Sequence, residues 1–281
     1  MENNSTYISI NNEILLKTQG ALGINDLSIQ RGYGIFDFLK VIDNRPIFLD
    51  DHLNRFYRSA EEMNLSMDMD RSALKLAIHE LMQKNNLPNS AIKIILTGGY
   101  ADDGFTLHKP NLIITQDAFT MEDRTNLKGM KLVTYNHQRQ LPTVKTIDYL
   151  QAIRLRPFIA ENNADEVLYH NNNQIGECPR ANFFIVTDKE IITPKDNILS
   201  GIIRSKVLKL SIENYSIIER YISLSELEQA KEAFITSSTK NAYPVIAING
   251  NQIGNGQPGS ITAQINEKLY ELMMDKSVIA N

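Results

Sequence analysis

Two residues in this chain have side chains and surroundings that suit one chemistry. Lys145 stands in Val144-Lys145-Thr146-Ile147-Asp148-Tyr149-Leu150, and Glu177 in Gln174-Ile175-Gly176-Glu177-Cys178-Pro179-Arg180-Ala181-Asn182-Phe183-Phe184. A lysine amine can condense with an aldehyde to a Schiff base. A carboxylate facing a pyridine nitrogen favours its protonated form through the attraction between opposite charges. Pyridoxal 5'-phosphate (PLP) needs both, because a protonated ring is the better acceptor for the electrons left when a proton departs from a substrate α-carbon. Lys145 would act twice, first as the Schiff-base amine and then as the base that moves the proton. Either residue alone reads as an ordinary solvated surface group.

The elements that must position the pair follow from periodicity. Residues 7–10 and 13–16 flank Asn11-Asn12 and read as a hairpin with a two-residue turn. A strand over 34–42 is followed by a turn at Asp43-Asn44-Arg45-Pro46. Asp50 or Asp51 can cap a helix in which Leu53, Phe56, Tyr57, Ala60 and Met63 recur at helical spacing. A second helix, over 71–84, shows Leu74, Ala77, Ile78 and Leu81 on one face, and strands at 91–96 and 111–115 enclose a Gly-containing loop, 98–110. The polar run 119–126 reads as a linker dividing a small domain, 1–118, from a larger one, 127–281. In the larger part strands fit 131–135, 166–170, 182–187, 190–193 and 233–236, and helices fit 147–162, 202–213, 225–229 and 262–274. Asn171-Asn172-Asn173 reads as the turn that leads into the Glu177 segment.

A chain of 281 residues is long enough for two domains that each bury a core. The net charge of −4 gives no electrostatic reason to expect nucleic acid or an anionic membrane as partner. A single cysteine, Cys178, excludes an internal disulfide framework and fits a reducing compartment. With no signal-peptide pattern and no apolar run near the roughly 20 residues that span a bilayer, a cytoplasmic protein is expected.

Five segments, in order, resemble the fold-type IV PLP enzymes, the family of D-amino acid aminotransferases, branched-chain aminotransferases and aminodeoxychorismate lyases. They are His52-Leu53-Asn54-Arg55-Phe56, the Lys145 and Glu177 segments, Ile198-Leu199-Ser200-Gly201-Ile202-Ile203-Arg204, and Thr236-Ser237-Ser238-Thr239 with Pro244-Val245. The resemblance covers nearly the whole chain. It implies an α/β (α+β) fold with a small N-terminal α/β domain and a larger barrel-like C-terminal α/β domain, PLP as cofactor, no metal, and a homodimer whose 98–110 loop lies near the partner's site.

Three pieces suit the phosphate dianion of PLP. The amides of Ile202 and Ile203 would be the free donors of a helix start; the family usually has threonine where this chain has Ile203, so a hydroxyl is lost and the amide kept. Ser237 and Ser238 can add hydroxyl and amide donors. Arg55 falls near the start of its helix, where a cation opposes the helix dipole and calls for an anion; the resemblance makes that anion the phosphate, in the bidentate geometry Arg favours. Tyr149, four residues beyond Lys145, would lie on the same side of a helix beginning there and could bond the ring hydroxyl. Arg139 could buttress Glu177 or the ring.

The substrate is less fully specified. The best-known D-amino acid aminotransferases of the family hold the α-carboxylate with an arginine and a histidine in the loop matching Thr97-Gly98-Gly99-Tyr100, and here the arginine position is Gly98. Arg31, Arg180 and Lys240 stand where the resemblance puts the cavity wall, with Phe36 available to line it. Several cations in a partly desolvated pocket repel one another and suggest an acidic ligand, such as glutamate or 2-oxoglutarate. The pattern looks like an atypical D-amino acid aminotransferase acting on small amino and keto acids such as D-glutamate or D-alanine. A branched-chain L-aminotransferase, an aminodeoxychorismate lyase and a catalytically silent PLP-binding protein remain the alternatives.

Overall fold

The computed structural model describes residues 6–120 and 127–275. Its contacts divide the chain into two compact units, Met1–Thr120 with Val144–Asp148, and Met121–Thr143 with Tyr149–Asn281. Of the expected linker 119–126, residues 121–126 lie outside the described residues. Phe119, just before them, packs edge-on against Phe38.

The first unit is a six-stranded antiparallel sheet with its two long helices on one face. Its strands are β1 (Tyr7–Ile10), β2 (Glu13–Leu16), β3 (Gly34–Ile42), β4 (Arg45–Pro46), β5 (Ser90–Thr97) and β6 (Leu112–Ala118), in the order β2-β1-β6-β5-β3-β4. The helices are α1 (Leu27–Arg31), α2 (Leu49–Glu62) and α3 (Arg71–Asn85). Side chains alternate across a strand, so Ile35 and Leu39 of β3 and Ile92 and Ile94 of β5 all meet Leu53 and Phe56 of α2 and Leu74 and Ile78 of α3 in one buried cluster. The chain turns between strands on pairs of left-handed residues: Asn11-Asn12, Asp43-Asn44 and, in the second unit, Asn172-Asn173 all have positive φ. A two-residue hairpin of type I′ requires this at both central positions, and Asn and Asp tolerate it best after glycine.

The start of α2 departs from expectation. Phe48, itself at φ 54, is the N-cap and offers no side-chain bond, while Asp50 and Asp51 fall inside the first turn. There their charges still oppose the positive helix end, and Asp50 is bonded by Arg71 and Lys75 of α3 rather than by its own helix.

A buried ion cluster joins α2 to β3. Asp37 is wholly buried, and its carboxylate accepts Nε and Nη2 of Arg55 at 2.9 and 2.8 Å and meets Nδ1 of His52 at 2.6 Å. Burial alone would raise the Asp37 pKa, but the charges and hydrogen bonds of Arg55 and His52 outweigh it and hold the carboxyl well below its usual range. His52 is pushed the other way from a paired histidine, downwards, because burial outweighs the attraction of Asp37. Both folded-state values lie below the unfolded ones, so both groups contribute stability at neutral pH. That of His52 is lost as pH falls below about 6.5, and that of Asp37 below about 3.9. Asp37→Ala would remove the carboxylate that both Arg55 and His52 bond in this buried place. The expected loss is about 3–5 kcal/mol in a denaturant titration at pH 7, and a change under about 1 kcal/mol would show that the cluster is not stabilising.

The second unit is built on a nine-stranded mixed sheet: β7 (Met130–Asn136), β8 (Glu166–Asn171), β9 (Gln174–Ile175), β10 (Asn182–Val186), β11 (Glu190–Thr193), β12 (Ser216–Glu219), β13 (Glu232–Ser237), β14 (Asn241–Ile248) and β15 (Asn251–Gln252). The order is β12-β11-β10-β13-β14-β7-β8-β9, with β15 on β14. The β11–β12, β14–β7 and β7–β8 pairs are parallel. Its helices are α4 (Leu150–Arg154), α5 (Arg156–Glu161), α6 (Ile202–Val207) and α7 (Ser260–Met274). The long strand β14 escapes a periodicity reading because Pro244 lies within it, and proline argues against a central strand. Its pairing with β7 begins only at Val245, so on that side no ladder bond is asked of the proline.

Two expected helices are shorter than their patterns. Residues 147–149 are not helical, because Ile147 donates its N–H to Gly34 and Thr146 bridges to Ile35, which commits this stretch to β3; helix starts at Leu150 and breaks at Leu155, ahead of Pro157. The helix expected over 202–213 ends at Val207, and Ile212 pairs instead with Tyr215 to lead into β12. Among the described residues no helix is long and apolar enough to cross a membrane.

Candidate active site

Lys145 lies in an extended stretch laid along β3, where its carbonyl accepts from the N–H of Phe36 at 2.9 Å. Its Nζ stands 4.5 Å from the centroid of the Phe36 ring, a cation–π contact that orients the end of the side chain while it is protonated. The charge of Lys145 also reaches His52, the histidine of the buried cluster. Tyr149 does not share a helix with Lys145. It is the N-cap of α4, so the four-residue spacing sets no common face, because residues 145–148 are not helical.

Glu177 follows β9 and is buried. Arg139 holds Oε1 through Nε and Nη2, each at 2.9 Å, and Oε2 accepts from Asn182 Nδ2 at 3.1 Å and from the Leu199 amide at 3.0 Å. Four donors thus fix both oxygens of one carboxylate. Arg139 is the buttress the sequence offered; Asn182 and Leu199 were missed as its companions, although both stand in matched segments. Asn182 requires Gly201 next to it, since a Cβ at position 201 would run into Asn182 Oδ1.

Gly201 is also the N-cap of α6, without a side-chain cap, so the amides of Ile202 and Ile203 open a helix whose first turn has no intrahelical acceptor. Asn182 is the Cα partner of Thr236, which precedes Ser237 at the end of β13. Ser237 Oγ meets Thr239 Oγ1 at 3.0 Å and accepts the Lys240 amide at 3.1 Å, closing the turn that carries Ser238. Thr236 Oγ1 is buried with no hydrogen-bond partner among the described residues. Uncapped amides and serine hydroxyls are the donor set a phosphate takes, and the anchored carboxylate is what a pyridine nitrogen takes; the residues present fit PLP.

The expected phosphate ligand Arg55 already has an anion, Asp37, supplied by a strand 18 residues away in sequence. The cations proposed for the substrate differ among themselves. Arg180 Nη2 bonds Glu166 Oε2 at 2.9 Å with its side chain 68% exposed, so its charge is matched within the chain. Arg31 ends α1, exposed, and donates to the Gln30 carbonyl. Lys240 Nζ lies 4.4 Å from the Tyr243 ring centroid. Gly98 has no room for the family's arginine: a Cβ there would come 2.9 Å from Leu27 Cβ and 3.1 Å from Tyr33 Cδ1. The fully buried Asp26 holds Leu27 in that place, through bonds to Thr97, Asn111 and the Ser28 amide.

The sequence model of the amino-transferase class IV family matches residues 34–248. The chain belongs to that family. Among its relatives, the D-alanine aminotransferase of Staphylococcus haemolyticus is 27% identical over 97% of this chain and 99% of its own length. That of Bacillus licheniformis is 25% identical over 96% and 98%. The T.th. branched-chain amino acid aminotransferase, solved with pyridoxamine 5'-phosphate, superposes with a TM-score of 0.87 at 19% identity over 96% of this chain and 94% of its own. The class IV aminotransferase is therefore a fold-type IV enzyme of mixed α/β architecture, as the motifs implied, and PLP is the cofactor its family uses.

Proposed function

We propose that this enzyme moves amino groups between a D-amino acid, such as D-glutamate or D-alanine, and a 2-keto acid such as 2-oxoglutarate. The observation that carries the reading is the Glu177 carboxylate, buried and held by four donors in a chain that also keeps the Lys145 segment. PLP, when bound, supplies the aldehyde that takes the amino group and a ring that spreads the electrons left at the α-carbon. Lys145 Nζ would hold the cofactor and take the substrate α-proton. Glu177, positioned by Arg139, would face the ring nitrogen. The Ile202 and Ile203 amides and the Ser237 and Ser238 hydroxyls would hold the phosphate, with Arg55 adding its charge, and Tyr149 would bond the ring hydroxyl.

With no space for arginine at Gly98, the substrate carboxylates would fall to Arg31, Arg180 and Lys240 beside Phe36, and Arg180 would exchange Glu166 for its ligand. The D-alanine aminotransferases among the relatives support the stereochemical choice. We further place the enzyme in the cytoplasm as a homodimer, with the 98–110 loop near the partner's site. A panel of D- and L-amino acids with 2-oxoglutarate, read by cofactor absorbance, tests the reading. D-glutamate and D-alanine are expected to react at least about tenfold faster than L-leucine, a difference of about 1.4 kcal/mol; the reverse order would replace it.

One observation favours that reverse order. An apolar recess of about 350 Å³, lined by Ile8, Ile10, Ile95, Ile113 and Ile147, opens on the sheet face that carries Phe36. A branched hydrocarbon side chain would suit it, which keeps branched-chain substrates as the second reading.

A further inference from the structure

Arg180 stands at the tip of a tight turn in the second unit. Cys178 and Ala181 exchange both main-chain bonds, at 2.9 and 3.3 Å, so Pro179 and Arg180 form the two-residue loop between Glu177 and β10. The main chain is thereby held, and the freedom left to Arg180 is that of its side chain, which is 68% exposed. Its partner is fixed instead. Glu166 opens β8, its side chain is 9% exposed, and its Oε1 accepts the N–H of Val167 at 3.1 Å. The pair borders the Glu177 carboxylate: burial, and then the charges of Glu166 and Glu177, push the Cys178 thiol up against a smaller opposing effect of Arg180.

The bond between the two is one that an incoming acid can replace. Nε and Nη2 of Arg180 both go to the single oxygen Oε2 of Glu166, at 3.3 and 2.9 Å, while Oε1 is turned to its own strand. A parallel fork, in which two N–H groups meet two oxygens, is the stronger geometry, and a ligand carboxylate can offer both of its oxygens. Among the described residues Glu166 is the only carboxylate paired with Arg180, and Arg180 the only cation paired with Glu166. A transaminase takes its two amino acids in turn at one site. Were Arg180 without an internal partner, a substrate lacking a second carboxylate would leave a cation unmatched where the substrate has displaced water, and such a group is costly. An internal carboxylate removes that cost.

We propose that Glu166 determines specificity as the built-in counter-ion of Arg180, bonded to it when the substrate has no second carboxylate and displaced when the substrate brings one. The proposal rests on the reading of Arg180 as a substrate cation and adds a property to it: one site accepts acidic and uncharged side chains by turn. Glu166 touches no reacting atom. It is a positioning residue that acts through Arg180, and its carboxylate competes with the ligand's. Dicarboxylic acids therefore bind less tightly than the cation alone would hold them, and a substrate such as D-alanine binds without stranding a charge.

Titration calorimetry of the PLP-loaded enzyme with two unreactive acids, glutarate and butyrate, tests this. Glu166→Gln keeps the shape and removes the charge; it is expected to tighten glutarate about 3- to 10-fold, while butyrate does not tighten. Arg180→Met is expected to weaken glutarate about 10-fold or more. With Arg180→Met already in place, Glu166→Gln should change glutarate by less than about twofold, since no cation remains to compete for. A merely structural Glu166 would weaken both acids together and lower the thermal midpoint; it would not tighten one acid alone. Glu166→Met serves if the Gln variant does not fold. Glutarate binding that is unchanged or weaker in the uncharged variant, or both acids tightened equally, overturns the proposal alone, provided Arg180→Met weakens glutarate. A parent that binds no glutarate, or an Arg180→Met variant that binds it as the parent does, removes both the proposal and the reading of Arg180 beneath it.

Discussion

Lys145→Ala is expected to lower transamination by about 10⁴-fold, because one side chain would lose both the covalent hold on PLP and the base that moves the α-proton. Lys145→Arg should be nearly as inactive. It preserves a cation over the Phe36 ring, so the contact seen at 4.5 Å would survive in some form while the nucleophilic amine does not. The backbone around residue 145 should be undisturbed in both, since the bonds that lay it along β3 are main-chain bonds between Phe36 and Lys145 and between Ile147 and Gly34. Borohydride reduction and peptide mapping of the parent should place the cofactor label on Lys145. Label on a different lysine, or an alanine variant within about tenfold of the parent, would remove Lys145 from the chemistry.

The second large effect is expected at Glu177. Glu177→Gln should slow the half-reaction by about 10²-fold or more at full PLP occupancy, because a neutral amide does not favour a proton on the facing ring nitrogen. The geometry adds a cost in stability. Each oxygen of the present carboxylate accepts from two donors, Arg139 Nε and Nη2 on one and Asn182 and Leu199 on the other. Whichever way the glutamine amide turns, its NH₂ group meets donors, and an unsatisfied buried group of this kind costs about 1–3 kcal/mol. Single-turnover rates normalised to bound PLP, measured beside a denaturant titration, separate the two effects. A variant destabilised but chemically normal would leave Glu177 as a structural carboxylate only.

The pair of charge clusters around these residues illustrates how far a linear reading reaches. Arg55 near a helix start announces the need for an anion by the sign of the helix dipole, and that need is visible in the sequence. That the anion is Asp37 is not visible, because the carboxylate arrives from β3 through the packing of α2 on the sheet. Arg180 gives the same lesson in the other direction. The resemblance puts it on the cavity wall, and the fold also brings Glu166 of β8 against it, a partner that no local pattern announces.

What the sequence determined by itself was the ordered motifs that place the protein among class IV aminotransferases and, from near neighbours in the chain, the Asn and Asp pairs that turn its hairpins. Helix lengths and charge partners were decided by the tertiary structure. Residues 147–149 have a helical pattern, but Ile147 bonds to β3 and the helix starts only at Leu150, and the donors around Glu177 come from positions 139, 182 and 199. Local propensity is worth tenths of a kcal/mol per residue, and a buried charge left without its partner costs several, so where the two conflicted the long-range contact prevailed.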